Sequence, residues 1–446
     1  MAPVPGLRAS DLEVGDGAGK RLAARDSLSG IPAEGNLILL PDSARTFAYD
    51  IDLAPADPDR FGLPAPFLAP GVDAVDGAYL FLLPVLASGV SARWRAPAAI
   101  SLDIVAPGRV LVGSDAHRDL ATPYELMFLR AAFDPDRSLT VPIRGHELTV
   151  YTTSGTSMDL GAFAGLLSDC IRQVEDSLLP LPAHRYFAGE FSAFSGVEGN
   201  QGYWFNAAYS ANPMVHTHEL IHTFVGVYHG ELEDPWWKEG MTNYLGYLLP
   251  LQAGRISDSA FASGIFPLID TVPAVRDVPL ASPEVRTRLF LPLDSAWAPP
   301  ADPRGFINLV YGKGGEASMI LDRWLLERSG GRKSVFDLVR SLIREHGPAF
   351  NRAQLVAQAG ILAGVPAEAF LSDLLDRPGA FPADSLRATY RALRTLGRFG
   401  PGGGKVPVAG VDFPLAKAGT FAAGSGPPAA RPRVPVTFPL PRGGKF

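Results

Sequence analysis

Two histidines four positions apart bracket an acid in the segment His218-Glu219-Leu220-Ile221-His222. On a helix that spacing puts both imidazoles on one face, where they can hold a single zinc ion, with Glu219 beside them free to act as a base. A catalytic zinc site has three protein ligands and an open fourth position, so a further ligand is required. Glu239, in Trp236-Trp237-Lys238-Glu239-Gly240-Met241-Thr242-Asn243-Tyr244, is placed to supply it from a following helix. The flanking Met214, Val215, Leu220, Ile221, Phe224 and Val225 are apolar, which argues for a buried helix over one with two solvated histidines. With 8 histidines in 446 residues the pattern would arise by chance in roughly one such chain per hundred or fewer, so it is read as chemistry.

These segments resemble the gluzincin metallopeptidases, whose third zinc ligand is a glutamate on the helix after the H-E-x-x-H helix. Tyr311-Gly312-Lys313-Gly314, leading into Met319-Ile320-Leu321-Asp322 and Ser329-Gly330-Gly331-Arg332-Lys333-Ser334, is most similar to the glycyl aminopeptidase family within that clan. That family carries a Y-x-K-G helix start, an L-L-D-type helix and an R-R-S-G-G-type turn in this order. The matching segments span roughly residues 140 to 345. The resemblance implies a thermolysin-like catalytic domain with one zinc ion per chain on His218, His222 and Glu239. It also implies Glu219 as base and then acid, and Tyr311 as hydrogen-bond donor to the oxyanion. Gly196-Val197-Glu198 aligns with the turn that, in related aminopeptidases, pairs with the peptide backbone and holds the free α-amino group through its glutamate. The family usually follows that glutamate with histidine, whereas Gly199 stands here. The implied reaction is removal of small N-terminal residues, such as glycine or alanine, from peptides. Two other readings stay open: a zinc endopeptidase on the same site, and a catalytically silent peptide-binding scaffold, against which the intact Glu219 speaks.

Composition bounds the elements that must position these residues. A chain of 446 residues suggests two or three domains, and 47% hydrophobic with 19% charged residues is globular composition. A net charge of -6 offers no general affinity for nucleic acid or acidic membranes, so neither is expected as a partner, and a peptide substrate is. The longest apolar run, Ala78 to Ala87, contains Pro84 and is far too short for a membrane span. The chain is expected to be soluble, cytoplasmic or exported with a signal removed, and its oligomeric state is open. The single cysteine, Cys170, excludes an intramolecular disulfide and a cysteine zinc site. Its neighbours Phe163, Leu166, Leu167, Ile171, Val174 and Leu178 repeat at helical spacing, which makes it a core residue.

The pattern predicts an α+β multidomain chain. Residues 1–30 read as a loose arm. Residues 31–145 read as an antiparallel β domain, with strands at Leu37–Leu40, Phe47–Leu53, Tyr79–Leu86, Val90–Trp94, Ile100–Val105 and Val110–Val112. The catalytic domain, 146–256, opens with a strand at His146–Thr152 and a helix from Asp159 to Leu179 that Pro180 and Pro182 end. An edge strand near Tyr186–Phe191 follows. A proline-dense excursion over 257–310 leads into an all-α region extending to residue 400. Its helices are expected at Ala317–Arg328, Ser334–Glu345, Arg352–Ala363, Ala367–Leu375 and Asp384–Leu396. The Gly/Pro-rich tail, 401–446, is too short for the PDZ-like domain that many relatives carry. His216 and His229 are not expected to be ligands, and Asn243, one turn beyond Glu239, is placed to bond a ligand imidazole.

Overall fold

The computed structural model describes residues 101–104, 108–120, 128–152, 157–190, 196–199, 201–225, 236–266, 278–282, 309–347 and 350–399, together with the backbone of strands within 8–100 and of 434–436. The sheet that carries the site has five strands: β1 (Arg137–Ile143), β2 (His146–Thr152), β3 (Arg185–Glu190), β4 (Gly196–Glu198) and β5 (Gly202–Phe205). Their order is β1-β2-β3-β5-β4. β1 and β2 form a hairpin whose two turn residues, Arg144 and Gly145, have φ of 46° and 85°, the geometry that matches strand twist in a two-residue loop. β2, β3 and β5 run parallel, and β4 returns antiparallel on the edge.

A parallel pair needs a crossover, and α1 (Leu160–Ser177) makes the one between β2 and β3. Asp159 caps it by accepting the Gly161 and Ala162 N–H groups at 2.9 and 3.0 Å. Phe163, Leu167, Cys170, Ile171 and Val174 are buried at helical spacing, and burial pushes the Cys170 thiol up to about 11. Leu148, Val150, Tyr186, Ala188, Tyr203 and Phe205 face this main core. Alternate residues Tyr151, Phe187 and Trp204 pack on the opposite face with Val112 and Ala132. The segment expected as an edge strand, Tyr186–Phe191, is corrected: β3 is interior and parallel to both neighbours. Its continuous run Tyr186-Phe187-Ala188 is buried on both faces, as an interior parallel strand requires.

The helices after the sheet are α2 (Pro213–Ile221), α3 (Thr242–Gln252), α4 (Asp258–Ile265), α5 (Gly314–Arg328), α6 (Val335–His346), α7 (Arg352–Ala363), α8 (Glu368–Leu375) and α9 (Ala383–Thr395). The capping box anticipated at Ser334 and Asp337 opens α6, and Asn351 with Gln354 forms a second at α7. α4 lies within the stretch read as a proline-dense excursion; Ser257 caps it, and the first proline, Pro267, follows its end. The arm expected over 1–30 contains a nine-residue strand, Arg8–Asp16, paired with Ala44–Asp52. Leu12 and Val14 alternate there with Asp11 and Glu13, a strand period that flanking glycines obscure. Val434–Val436, in the expected tail, pairs with the other side of Ala44–Asp52. The expected strands at 79–86 and 90–94 lie outside the described residues. Among the described residues no helix is long and apolar enough to cross a membrane.

One buried carboxylate ties the helices to the site. Asp322 of α5, fully buried, accepts hydrogen bonds from Tyr244 Oη of α3 (2.8 Å), Arg398 Nε (2.7 Å) and the Val335 N–H that opens α6 (2.9 Å). Removing one partner of such a pair leaves the other charge buried and uncompensated. Asp322→Ala is expected to cost about 3–5 kcal/mol, read as a lower midpoint in thermal or urea unfolding, with a smaller loss for Asp322→Asn.

Candidate metal centre

α2 starts where Asn212 accepts the Met214 N–H at 3.0 Å and Pro213 occupies the first helical position. His218 and His222 lie four positions apart, and their Nε2 atoms stand 3.0 Å apart. His222 Nδ1 lies 3.1 Å from the Val225 carbonyl, a bond that orients the ring and leaves Nε2 to face His218. Glu239 Oε2 completes the triangle, 3.6 Å from His218 Nε2 and 3.4 Å from His222 Nε2. Ligands about 2.0–2.1 Å from a tetrahedral zinc ion stand about 3.3–3.4 Å from one another, so the three donors have the required spacing. Glu239 Oε2 and Glu219 Oε2 are both buried with no hydrogen-bond partner, as groups awaiting a cation and a substrate proton would be.

Glu239 and Tyr311 both sit in widened π-helical turns, Trp236–Met241 before α3 and Leu309–Lys313 before α5. Such turns are commonly associated with functional sites. The two turns meet through glycines. A Cβ on Gly240 would lie 2.4 Å from the Gly314 carbonyl carbon, so only glycine permits this backbone contact. It brings Tyr311 over the site, where its ring stacks on His218 with centroids 5.7 Å apart. Asn243 does not bond an imidazole. Its amide donates to the Tyr311 carbonyl at 3.2 Å, because its face of α3 is turned to the second π turn. Lys313 is fully buried and anchors that turn, donating to the carbonyls of Val278 and Arg377 at 3.3 and 3.2 Å.

Glu219 projects toward β4, and a Cβ on Gly196 would fall 2.2 Å from its Oε1. Gly196, Val197 and Glu198 form β4, and Glu198 pairs with Lys238, which also stands 3.5 Å from Glu239 Oε1. Sequence reasoning gave Lys238 no role, although its place next to the third candidate ligand was the signal. His216 is committed elsewhere, between Tyr203 Oη (2.9 Å) and the Ser210 carbonyl (3.1 Å). His229 is outside the described residues.

The electrostatics follow from burial and crowding. Burial, with Glu198 and Glu239 nearby, pushes Glu219 up to about 8. Burial acts the same way on Glu198, but Lys238 and His222 outweigh it and hold that carboxyl at about 2. Burial depresses His222, but Glu239, Glu198 and Glu219 outweigh it and raise the ring to about 9. Burial and the Glu239 charge lift Tyr311 well above the usual phenol range, so it stays protonated. His218, His222 and Glu239 offer three donor atoms that lie within 4.8 Å of one another. The residues fit zinc by donor type and spacing.

Comparison of the sequence with family models and with curated proteins found no match. Comparison with solved structures did. An aminopeptidase N family protein from Idiomarina loihiensis aligns at TM-score 0.58 and 12% identity over 85% of this chain and 70% of its own. An M1 zinc metallopeptidase from Deinococcus radiodurans aligns at 0.54 and 15% over 85% and 86%. The chain has the M1 metallopeptidase fold. Yeast LTA4 hydrolase shares it at TM-score 0.53 and 14% identity, and the chain spans 62% of that longer protein. None of these three is named as a glycyl aminopeptidase, so the M1 likeness supports the gluzincin fold without selecting that branch.

The glycine contact yields a test of how the candidate site is assembled. In Gly240→Ala the new methyl meets backbone, which cannot rotate away, so overpacking should cost about 1–3 kcal/mol in urea unfolding. A wild-type midpoint would show that the two turns do not depend on this contact.

Proposed function

We propose that the chain is a zinc-dependent aminopeptidase that removes small N-terminal residues, of the glycine or alanine kind, from peptides, as its resemblance to the glycyl aminopeptidases implies. The observation that carries this reading is the convergence of His218, His222 and Glu239 on one point with Glu219 alongside. A zinc ion held by these three supplies Lewis acidity, polarising a carbonyl and making a water acidic enough to lose its proton. Glu219 accepts that proton and returns it to the leaving amine; burial gives the carboxyl a raised affinity for a proton, as a shuttle needs. Tyr311 donates its hydroxyl hydrogen to the oxygen on which negative charge develops. β4 is the last strand of its sheet among the described residues, so an extended peptide can add to its outer side by backbone hydrogen bonds. Glu198, at the end of that strand, faces the α-amino end of the substrate.

A second reading, an endopeptidase on the same centre, is favoured by one observation: Glu198 already has an ammonium partner in Lys238. The silent-scaffold reading offers no reason for a buried base with an unpartnered oxygen beside three converged donors.

Glu219→Gln should keep about one zinc per chain by atomic absorption while hydrolysis of alanyl peptides falls roughly 100- to 10,000-fold. Retained turnover would remove Glu219 from its role. Tyr311→Phe should lower kcat about 100- to 1000-fold with zinc content unchanged, whereas loss of zinc would make the tyrosine a support of the metal site.

A further inference from the structure

Lys238 is buried at the wall of the pocket, 8% exposed, with its ammonium 5.6 Å from the centre of the Phe128 ring. It pairs with Glu198 and approaches Glu239 Oε1 at 3.5 Å. A long cationic side chain adopts such a buried position only when carboxylates compensate it, so the placement is strongly determined. Its consequence lies at Glu198, whose carboxylate already meets an ammonium from within the chain. A substrate α-ammonium at Glu198 would stand beside a second ammonium, while an acylated or internal nitrogen would bring no charge there.

We propose that Lys238 is a specificity-determining residue: it takes the place at Glu198 that a substrate's α-ammonium would otherwise hold, and so opens the site to peptides whose N-terminal nitrogen is acylated. The inference rests on the zinc-peptidase reading and widens its substrate class to N-acylated peptides. Glu198 remains part of the subsite, but its charge is already met from within the chain. The reaction on an acylated peptide is the same hydrolysis, water adding across the peptide bond and the leaving amine taking the proton.

The test compares an alanyl peptide with its N-acetyl form on wild type, Lys238→Met and Lys238→Arg. Two quantities are read: kcat/KM on zinc-loaded protein, and the dissociation constant by calorimetry in the Glu219→Gln background, where no turnover interferes. Hydrogen bonds to charged groups are worth roughly 10- to 100-fold in affinity. Wild type is therefore expected to favour the free peptide by less than about threefold, Lys238→Met by tenfold or more, and Lys238→Arg by the wild-type ratio. A wild-type preference above about 100-fold that Lys238→Met leaves unchanged would overturn the proposal. So would a shift reproduced by Lys238→Arg, since charge would then not be the cause. The shift in binding without hydrolysis of any peptide by the Glu219 enzyme would sustain the role of Lys238 and sink the peptidase reading. Absence of both binding and hydrolysis would sink the two together.

Discussion

Three carboxylates, buried Glu219 and Glu239 and half-buried Glu198, share one pocket, and the rest of the structure is arranged to keep them there. Charges taken out of water are costly unless met by partners. Lys238 meets one, His222 is driven toward its cationic form by the others, and Glu219 holds its proton more tightly than an exposed glutamate would. His218, His222 and Glu239 present their donors to one another at the spacing a tetrahedral divalent ion requires. The site is thus a cluster of ionisable groups held in place by packing.

That packing is rigid and comes from elements far apart in the chain. Helix α2, which carries the two candidate histidines, lies against the sheet, with Leu220 and Ile221 in the same continuous core as Phe205, Tyr244 and Leu325. The π turns before α3 and α5 touch through Gly240 and Gly314, which sets the distance between the third donor and Tyr311. Asp322 fastens α3, α5 and α6 together behind them. A helix start can present a side chain with this consistency only if its own backbone cannot drift, and the close glycine contact with a buried polar junction behind it provides that.

The likeness to M1 structures at 12–15% identity has a physical basis. Cores tolerate extensive substitution when volume and apolar pattern are kept, so a fold outlasts recognisable sequence. Individual polar contacts depend on single residues: Lys238, next to the third donor, pairs with Glu198 and stands 3.5 Å from Glu239 Oε1.

Some of this was legible without coordinates. The H-E-x-x-H spacing, the downstream Trp-Trp-Lys-Glu-Gly and the helical periods of α1 and α5 to α9 are local signals, because i,i+4 geometry and capping act within a few residues. The interior place of β3 was not legible, since a short apolar run such as Tyr186-Phe187-Ala188 reads alike at an edge or in the middle, and only its neighbours decide. The strand at Arg8–Asp16 depended on its partner at Ala44–Asp52. Asn243 and Lys238 were misjudged or passed over for the same reason: which partner a polar side chain meets depends on elements 40 to 70 residues away, Glu198 for one and Tyr311 for the other. The sequence by itself determined which residues could bind a metal and move a proton. Only the tertiary structure decided which charges share one buried pocket, because electrostatic pairing is set by distance and burial, and neither is a local property of the chain.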